Sequence, residues 1–469
     1  MLTKNSYLEY LRCPQEFWLN FHHPAETEKE LTLEQEDRRQ AGFEVLQLAK
    51  KMSIFSGSNG LVEFHRIFAT EHIKTSTDIT VTDRATRDLS IYEVKSGASV
   101  KDEHVDDVAF QKMAAEMLGH TVAKTYVITV DTAYTRNGEI DPDRLLKIHD
   151  VTSEVAAKHD ETIKNTKAAI DHLKTQPGPE LKLHCAEKLD CGFIRYHFAD
   201  IPVYNVTHIA RLKHEKCADL IGRGILDIRD VPADFPLTGN QRKQVEAARA
   251  AEPAIDRAGI RSELDSLTYP LHFLDYESFM HAVPKFDGTR PYQQMVFQYS
   301  LHTIEQPGAE PVHSFHLSRN DGAFPPREIA ESLHQRLAGQ LGTVVVWNAS
   351  FERKRNEEMA VMFPDLADLF LEMNDNLFDL ETIFSKGLYL HAGFLGKTSI
   401  KNVRPVLYPK ASYRDLDIPD GTTAAIRWYQ MAAKHVNAPE AQNIYDALCQ
   451  YCHLDTLAMV EIFNVLRDL

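Results

Sequence analysis

Cysteine is scarce in this chain: six among 469 residues, at positions 13, 185, 191, 217, 449 and 452. That is too few to staple a chain of this length, which excludes a disulfide-built fold and fits a reducing compartment. No run approaches the roughly 18 consecutive apolar residues of a membrane-spanning helix. The opening MLTKNSYLEYLRCPQEFWL has no apolar signal-peptide core. The expectation is a cytoplasmic protein with no membrane partner. Internal repeats and low-complexity tracts are missing too. Positive charge is in deficit, with 52 Lys and Arg against 68 Asp and Glu and a formal net charge of −16. Nucleic-acid binders usually carry a basic balance or patch. The acidic total excludes indiscriminate coating of nucleic acid. It leaves room for a local basic groove and for carboxylate clusters that metal ions neutralise.

At roughly 100–200 residues per domain, the length allows two or three domains. Loop punctuation at Pro177, Gly178 and Pro179 precedes a short Cys-bearing segment and places a first boundary near residue 205. The next stretch reads as short helices with turns, and a fresh β pattern opens at LHFLDYESF. The expected division is 1–205, a helical connector 206–262, and 263–469. The first region predicts helices over YLEYLRCPQEFWL and EQEDRRQAGFEVLQLAKKM and strands over LVEFHRIFA, TSTDITVT and LSIYEVKS. A helix over DDVAFQKMAAEMLG and a strand at AKTYVITV follow. In the last region LHFLDYES, VFQYSLHTIE and EPVHSFHLS read as strands. REIAESLHQRLAG reads as a helix, TVVVWN as a short buried strand, and helices dominate from Phe351. The class is α/β, and the last region suits a three-layer domain.

Three stretches of that last region carry acids at informative spacing. In FLDYESF, Asp275 and Glu277 are two apart on a predicted strand and share one face. On a central strand such a pair is costly unless a cation lies between them. Hard ions such as Mg2+ or Mn2+ prefer carboxylate oxygens. The competing reading is an edge strand with its acidic face in water. In VVVWNASFERK a buried strand ends near Asn348 and Glu352 opens a helix. Glu352 there either reaches the same metal or simply favours the helix N-terminus. Asn348 is a candidate for holding the turn or touching substrate. In QYCHLDTLAMVEIFNVL, Tyr451 and Asp455 stack on one helix face. They are candidates for a water-orienting group and a further carboxylate. Asp379, in LFDLETIF, is a substitute for Glu352. Ser399, Lys401 and Arg404 are candidate phosphate contacts, and Arg290 with Tyr292 a candidate phosphate-and-base pair. An ordinary solvated face competes with those last assignments.

The first region has a cluster of its own. TDITVTDRATRDLSIYEVKSG presents Asp78, then Glu93 and Lys95 on one face of the next strand, with Gln111 on the following helix. Two acids bind a metal, and the lysine polarises a phosphate or orients water. Glu44 is an additional candidate ligand.

The order Asp275-x-Glu277, Asn348-x-x-Phe351-Glu352 and Tyr451-x-x-x-Asp455 resembles the DnaQ-like, or DEDD, 3′–5′ exonucleases of RNase H-like fold, in the tyrosine subclass. One departure is Glu352, where the superfamily has Asp. The set Asp78, Glu93, Lys95 and Gln111 resembles the PD-(D/E)xK nucleases of RecB-like type, with Ala115 where those carry Tyr. CRISPR-associated members of that type hold an iron–sulfur cluster on one N-terminal and three C-terminal cysteines. Cys13, Cys185, Cys191 and His197 stand in those places here, so the resemblance implies a 4Fe-4S cluster or Zn2+. Through YLRCPQEFWL, YEVKSGASVKDEHVDDVAFQ, FLDYESF, GTRPYQQMVFQYSLH, VVWNASFERKR and YCHLDTLAMVEI, nearly the whole chain resembles the bacterial proteins of domain-of-unknown-function family 2779. That resemblance implies a restriction-endonuclease-like PD-(D/E)xK domain, the helical connector and an RNase H-like exonuclease domain with two Mg2+ or Mn2+ ions. The expected partner is nucleic acid, DNA favoured over RNA, in repair, recombination or phage defence. Alternatives are an RNA-processing exonuclease and a non-catalytic nucleic-acid-binding subunit with eroded sites.

Overall fold

The structure, a computed structural model, describes residues 1–22, 32–175, 201–250, 252–319, 324–409 and 416–469. The class is mixed α/β. The chain divides into two compact units, one containing the described residues up to 175 together with Met280–Gln293, the other the described residues from 201 to 279 and from 294 to 469. The stretch 206–262, read from the sequence as a connector, groups with the second unit. No helix among the described residues is long and apolar enough to cross a membrane.

In the first unit, strand β1 (Leu2–Thr3) leads into helices α1 (Lys4–Arg12) and α2 (Pro14–His22). The sequence had suggested one helix here. It breaks because Cys13 is extended (φ −154°, ψ 103°) and Pro14, with no N–H, starts a new helix. After α3 (Leu33–Ala49) come β2 (Leu61–Phe64), β3 (Ile67–Ala69), β4 (Ile73–Ser76), β5 (Ile79–Thr82), β6 (Leu89–Val94), α4 (Asp102–Met117), β7 (Val122–Val130) and β8 (Leu146–Asp150). The expected strand LVEFHRIFA is split by His65 (φ 55°), and its halves enter different sheets. One sheet has the order β1-β4-β3, the other β2-β5-β6-β7-β8, with β6 and β7 parallel. Strand β6 buries Leu89 and Ile91 against Phe110 and Met113 of α4, and Tyr92 in a cluster with Ile128 and Val130. Covered on both faces, it can hold a charged residue only with partners.

The second unit is built on the sheet β12-β11-β10-β13-β14. In chain order the unit has β9 (Ala254–Ile255), β10 (Leu271–Phe279), β11 (Met295–Ile304), β12 (Val312–Leu317), α5 (Pro325–Leu337), β13 (Thr343–Val346), α6 (Ala349–Met362), α7 (Ala367–Asp375), β14 (Leu377–Asp379), β15 (Tyr389–Leu390), α8 (Ile400–Leu407), α9 (Gly421–Ala432) and α10 (Ala438–Arg467). Strand β10 is central, antiparallel to β11 and parallel to β13, so the edge-strand reading of Asp275 and Glu277 is excluded. Alternation along β10 sorts its two faces. Leu274 and Tyr276 join a core with Ile329, Leu333, Met359 and Phe370 from α5, α6 and α7. Leu271 and Phe273 join a second core with Val403 of α8 and Met459, Phe463 and Leu466 of α10. Asp275 and Glu277 continue that second face. The three-residue strand β14 was not expected among the helices after Phe351. It is too short to show a period, yet it pairs parallel with β13 and forms one edge of the sheet.

Candidate metal centre

Strand β10 delivers Asp275 and Glu277, and α10 brings Asp455 to them. One carboxylate oxygen from each lies within 4.8 Å of the other two. Glu277 and Asp455 are each 7% exposed and Glu352, in the first turn of α6, only 3%, so water does little to screen them. Burial, then the charge of Asp455, pushes the carboxyl pKa of Asp275 well up. Burial, then Asp275 and Asp455, does the same to Glu277. Glu352 is raised by burial first and then by the charge of Asp275. Its Oε2 is buried with no hydrogen-bond partner among the described residues. The three clustered carboxylates make an all-oxygen donor set that fits a hard divalent cation, and Glu352, with its unsatisfied buried oxygen, is a further candidate.

The immediate surroundings are ordered by other elements. A β-bulge follows Glu277, and Gly421 opens α9 so close to it that an added Cβ would lie 3.2 Å from Glu277 Oε2. The Lys401 ammonium donates to the carbonyl of Pro419 (2.6 Å) and to the Tyr451 hydroxyl (3.2 Å). Its charge opposes the upward shifts of Asp275 and Glu277 without overcoming burial. Tyr451 is buried and its pKa is raised, by burial first and then by Glu277, Asp455 and Asp275, so it remains a phenol. The Cys452 thiol donates to Asp275 Oδ2 at 3.6 Å. Sequence reasoning missed Cys452, although it lies inside the Tyr451–Asp455 motif, and missed Gly421, which no spacing marks.

Asp379 is not a spare ligand. Its Oδ1 accepts the N–H groups of Asn348 (3.0 Å) and Glu381 (3.1 Å), and its Oδ2 that of Ala349 (3.1 Å). These bonds hold the left-handed Asn348 (φ 69°) that starts α6 and thereby aim Glu352. Asn348 is exposed, and its side chain accepts the Ser350 hydroxyl (2.7 Å). Arg404 corrects an expectation: it is 1% exposed and pairs with Glu461 at 2.6 Å, so it is a core ion pair and no phosphate contact. The Ser399 hydroxyl is bonded to Asn402. Arg290 is exposed on the Met280–Gln293 segment of the first unit. In that segment the Tyr292 hydroxyl donates to the carbonyl of Ser96, a role in packing the loop.

The first unit gathers Asp78, Glu93, Lys95 and Gln111, and adds Asp107 and Lys4. Glu93 Oε1 accepts both Lys4 and Lys95 at 2.8 Å. Lys95 also reaches Asp107 (2.6 Å), and Gln111 Nε2 donates to Glu93 (2.7 Å) and Asp107 (2.9 Å). Asp78 Oδ2 accepts the Val94 N–H at 2.8 Å. Burial pushes Glu93 up, but Lys95 and Lys4 outweigh it and bring its pKa to about 2. Burial and the Glu93 charge raise Asp78 to about 7 and Asp107 to about 6. Asp107 sits one helical turn before Gln111, a spacing visible in the sequence, whereas nothing local marks Lys4. Ala115, at the departing motif position, is core. Glu44 is paired with Lys285 (2.6 Å). Cys13 is buried, and Cys185, Cys191 and His197 lie outside the described residues.

No curated protein and no solved structure matches the chain. A family model does match residues 272–399, that of the family described as Domain of unknown function (DUF2779). The matched stretch runs from the central acidic strand through Asn348, Glu352 and Asp379.

Proposed function

We propose that the second unit is a divalent-metal-dependent nuclease, a 3′–5′ exonuclease of the DnaQ-like, RNase H-like kind that trims DNA ends. The observation that carries this reading is the convergence of Asp275, Glu277 and Asp455, whose oxygens lie within 4.8 Å of one another. The central position of β10, with helices packed on both faces of its sheet, supports the three-layer expectation. A pair of Mg2+ or Mn2+ ions held there would activate water and stabilise the departing 3′ oxygen. Asp275, Glu277, Asp455 and Glu352 would be the ligands. Tyr451, kept as a phenol, donates a hydrogen bond and so orients water without acting as a base. Lys401 steadies Tyr451 and offers positive charge beside the acids.

A second site in the first unit, of PD-(D/E)xK type, rests on a different balance. There Lys4 and Lys95 each pair with both Glu93 and Asp107 and already neutralise much of their charge. Asp78, whose pKa burial and the Glu93 charge raise to about 7, is half-buried and in neither lysine pair, and is the acid most open to a metal. The two sites are separable by 3′-labelled DNA and RNA oligonucleotides incubated with Mn2+. Asp275→Ala is expected to abolish stepwise 3′ shortening, and Lys95→Ala to leave it in place. Faster loss of RNA would favour RNA processing. Binding without any metal-dependent shortening by the wild type would leave only the non-catalytic alternative.

A further inference from the structure

Beside the carboxylates, three histidines from three elements of the second unit meet. His302 is on β11, His313 on β12 and His453 on α10. One ring nitrogen from each lies within 4.8 Å of the other two. Ring centroids are 4.5 Å apart for His302–His313, 4.3 Å for His313–His453 and 5.0 Å for His302–His453. The group is anchored from behind by hydroxyls. His302 Nδ1 is 2.8 Å from Thr456 Oγ1, and His313 Nε2 is 2.9 Å from Ser300 Oγ. Those two oxygens are 2.7 Å apart, and Thr456 Oγ1 is 3.2 Å from the His453 carbonyl oxygen.

One proton assignment satisfies both hydroxyls and the rings of His302 and His313. Thr456 donates to the His453 carbonyl, Ser300 donates to Thr456, His302 Nδ1–H donates to Thr456 and His313 Nε2–H donates to Ser300. The lone pairs then sit on Nε2 of His302 and Nδ1 of His313. Metal-binding histidines are held in this way, one nitrogen on a polar partner and the other facing the ion. Imidazole donors suit zinc and its neighbours, while Mg2+ and Mn2+ favour oxygen.

We propose that His302, His313 and His453 bind one Zn2+, or a similar first-row transition ion, at a site chemically distinct from the carboxylate centre. Three protein ligands leave one tetrahedral position for water. The ion would tie α10 to β11 and β12. Because His453 lies between Tyr451 and Asp455, it would also fix the helix that delivers the last carboxylate.

The test uses the full chain, stripped with chelator and then titrated with Zn2+ in excess Mg2+ against a chromophoric zinc indicator. The wild type should take up one equivalent that His302→Gln and the half-buried His453→Gln each lose and that Asp275→Asn and Cys185→Ser keep. Thr456→Val should weaken it roughly 10–100-fold. Circular dichroism and melting of the stripped proteins show whether each variant folds. The proposal is overturned if the wild type takes up no such equivalent, if both folded histidine variants retain it, or if Cys185→Ser removes it. The readout is zinc uptake, so failure of the nuclease reading would not affect the result.

Discussion

At Asp275 and Glu277, burial and mutual repulsion hold the carboxyl pKa values well above their ordinary range. Without metal these groups keep protons at pH values where free carboxylic acids have lost them. A divalent ion must displace those protons, so binding releases them and tightens as pH rises. Calorimetric Mn2+ titration in two buffers of different ionisation heat should show proton release that shrinks in Glu277→Gln. Release of equal size in that variant would contradict the assignment. Asp78 gives a stability version of the same argument. Its folded pKa of about 7 exceeds the usual 3.8, so between those values the folded state binds more protons than the unfolded one. In that window the group's contribution to stability falls as pH rises. Asp78→Asn, which can still accept the Val94 N–H, should flatten that slope and stabilise the metal-free protein at neutral pH by on the order of 1 kcal/mol. Melting curves in chelator across the window would check this. At Glu352 the arm is one methylene longer than the resemblance expects, yet the side chain is buried and its Oε2 has no hydrogen-bond partner among the described residues. Glu352→Gln, nearly equal in shape, should reduce metal-dependent hydrolysis by about 100-fold or more.

Helix α6 is aimed by contacts on the sheet face opposite the acids. The Tyr276 hydroxyl donates to Asn356 (2.9 Å), Asn356 to Asn374 (2.9 Å), and Asn374 to the carbonyl of Arg353 (3.1 Å). Asn356 lies one turn beyond Glu352, so this chain fixes the carboxylate as well as the fold. Asn356→Ala strands a buried hydroxyl and should cost about 1–3 kcal/mol in denaturant melts. Activity should fall in the variant even where it is fully folded. A variant with lower stability but unchanged activity would show that the chain does not position Glu352. Elements with a clear period were legible in the sequence: β10, β11 and α4 lie close to where alternation or helical spacing puts them. The exceptions have local causes. Pro14 breaks a hydrophobic run that reads as one helix, His65 divides one apparent strand, and Leu377–Asp379 is too short to show a pattern. The acids of the site were legible because two strand positions and one helical turn fix which side chains share a face. Arg404 was not, because its partner Glu461 is far along the chain and spacing alone does not reveal burial. The same distance hid Lys4 from Glu93 and the three histidines from one another.

Across the whole molecule, a net charge of −16 sits with two acidic clusters balanced in different ways. In the first unit lysines supply the countercharge. In the second, the charge of Lys401 opposes the upward shifts of Asp275 and Glu277 without overcoming burial, and the demand for cations is greater. Under the proposed function, binding to nucleic acid should therefore depend on divalent ions at the second site more than on a broad basic surface. The most direct measurement of that claim is the number of Mn2+ ions bound to the full chain, read from the loss of the free-ion paramagnetic resonance signal. The wild type should bind up to two more ions than a folded Asp275→Asn/Glu277→Gln variant, and Lys95→Ala should match the wild type in that difference. Equal Mn2+ counts in the wild type and the double variant would contradict the account.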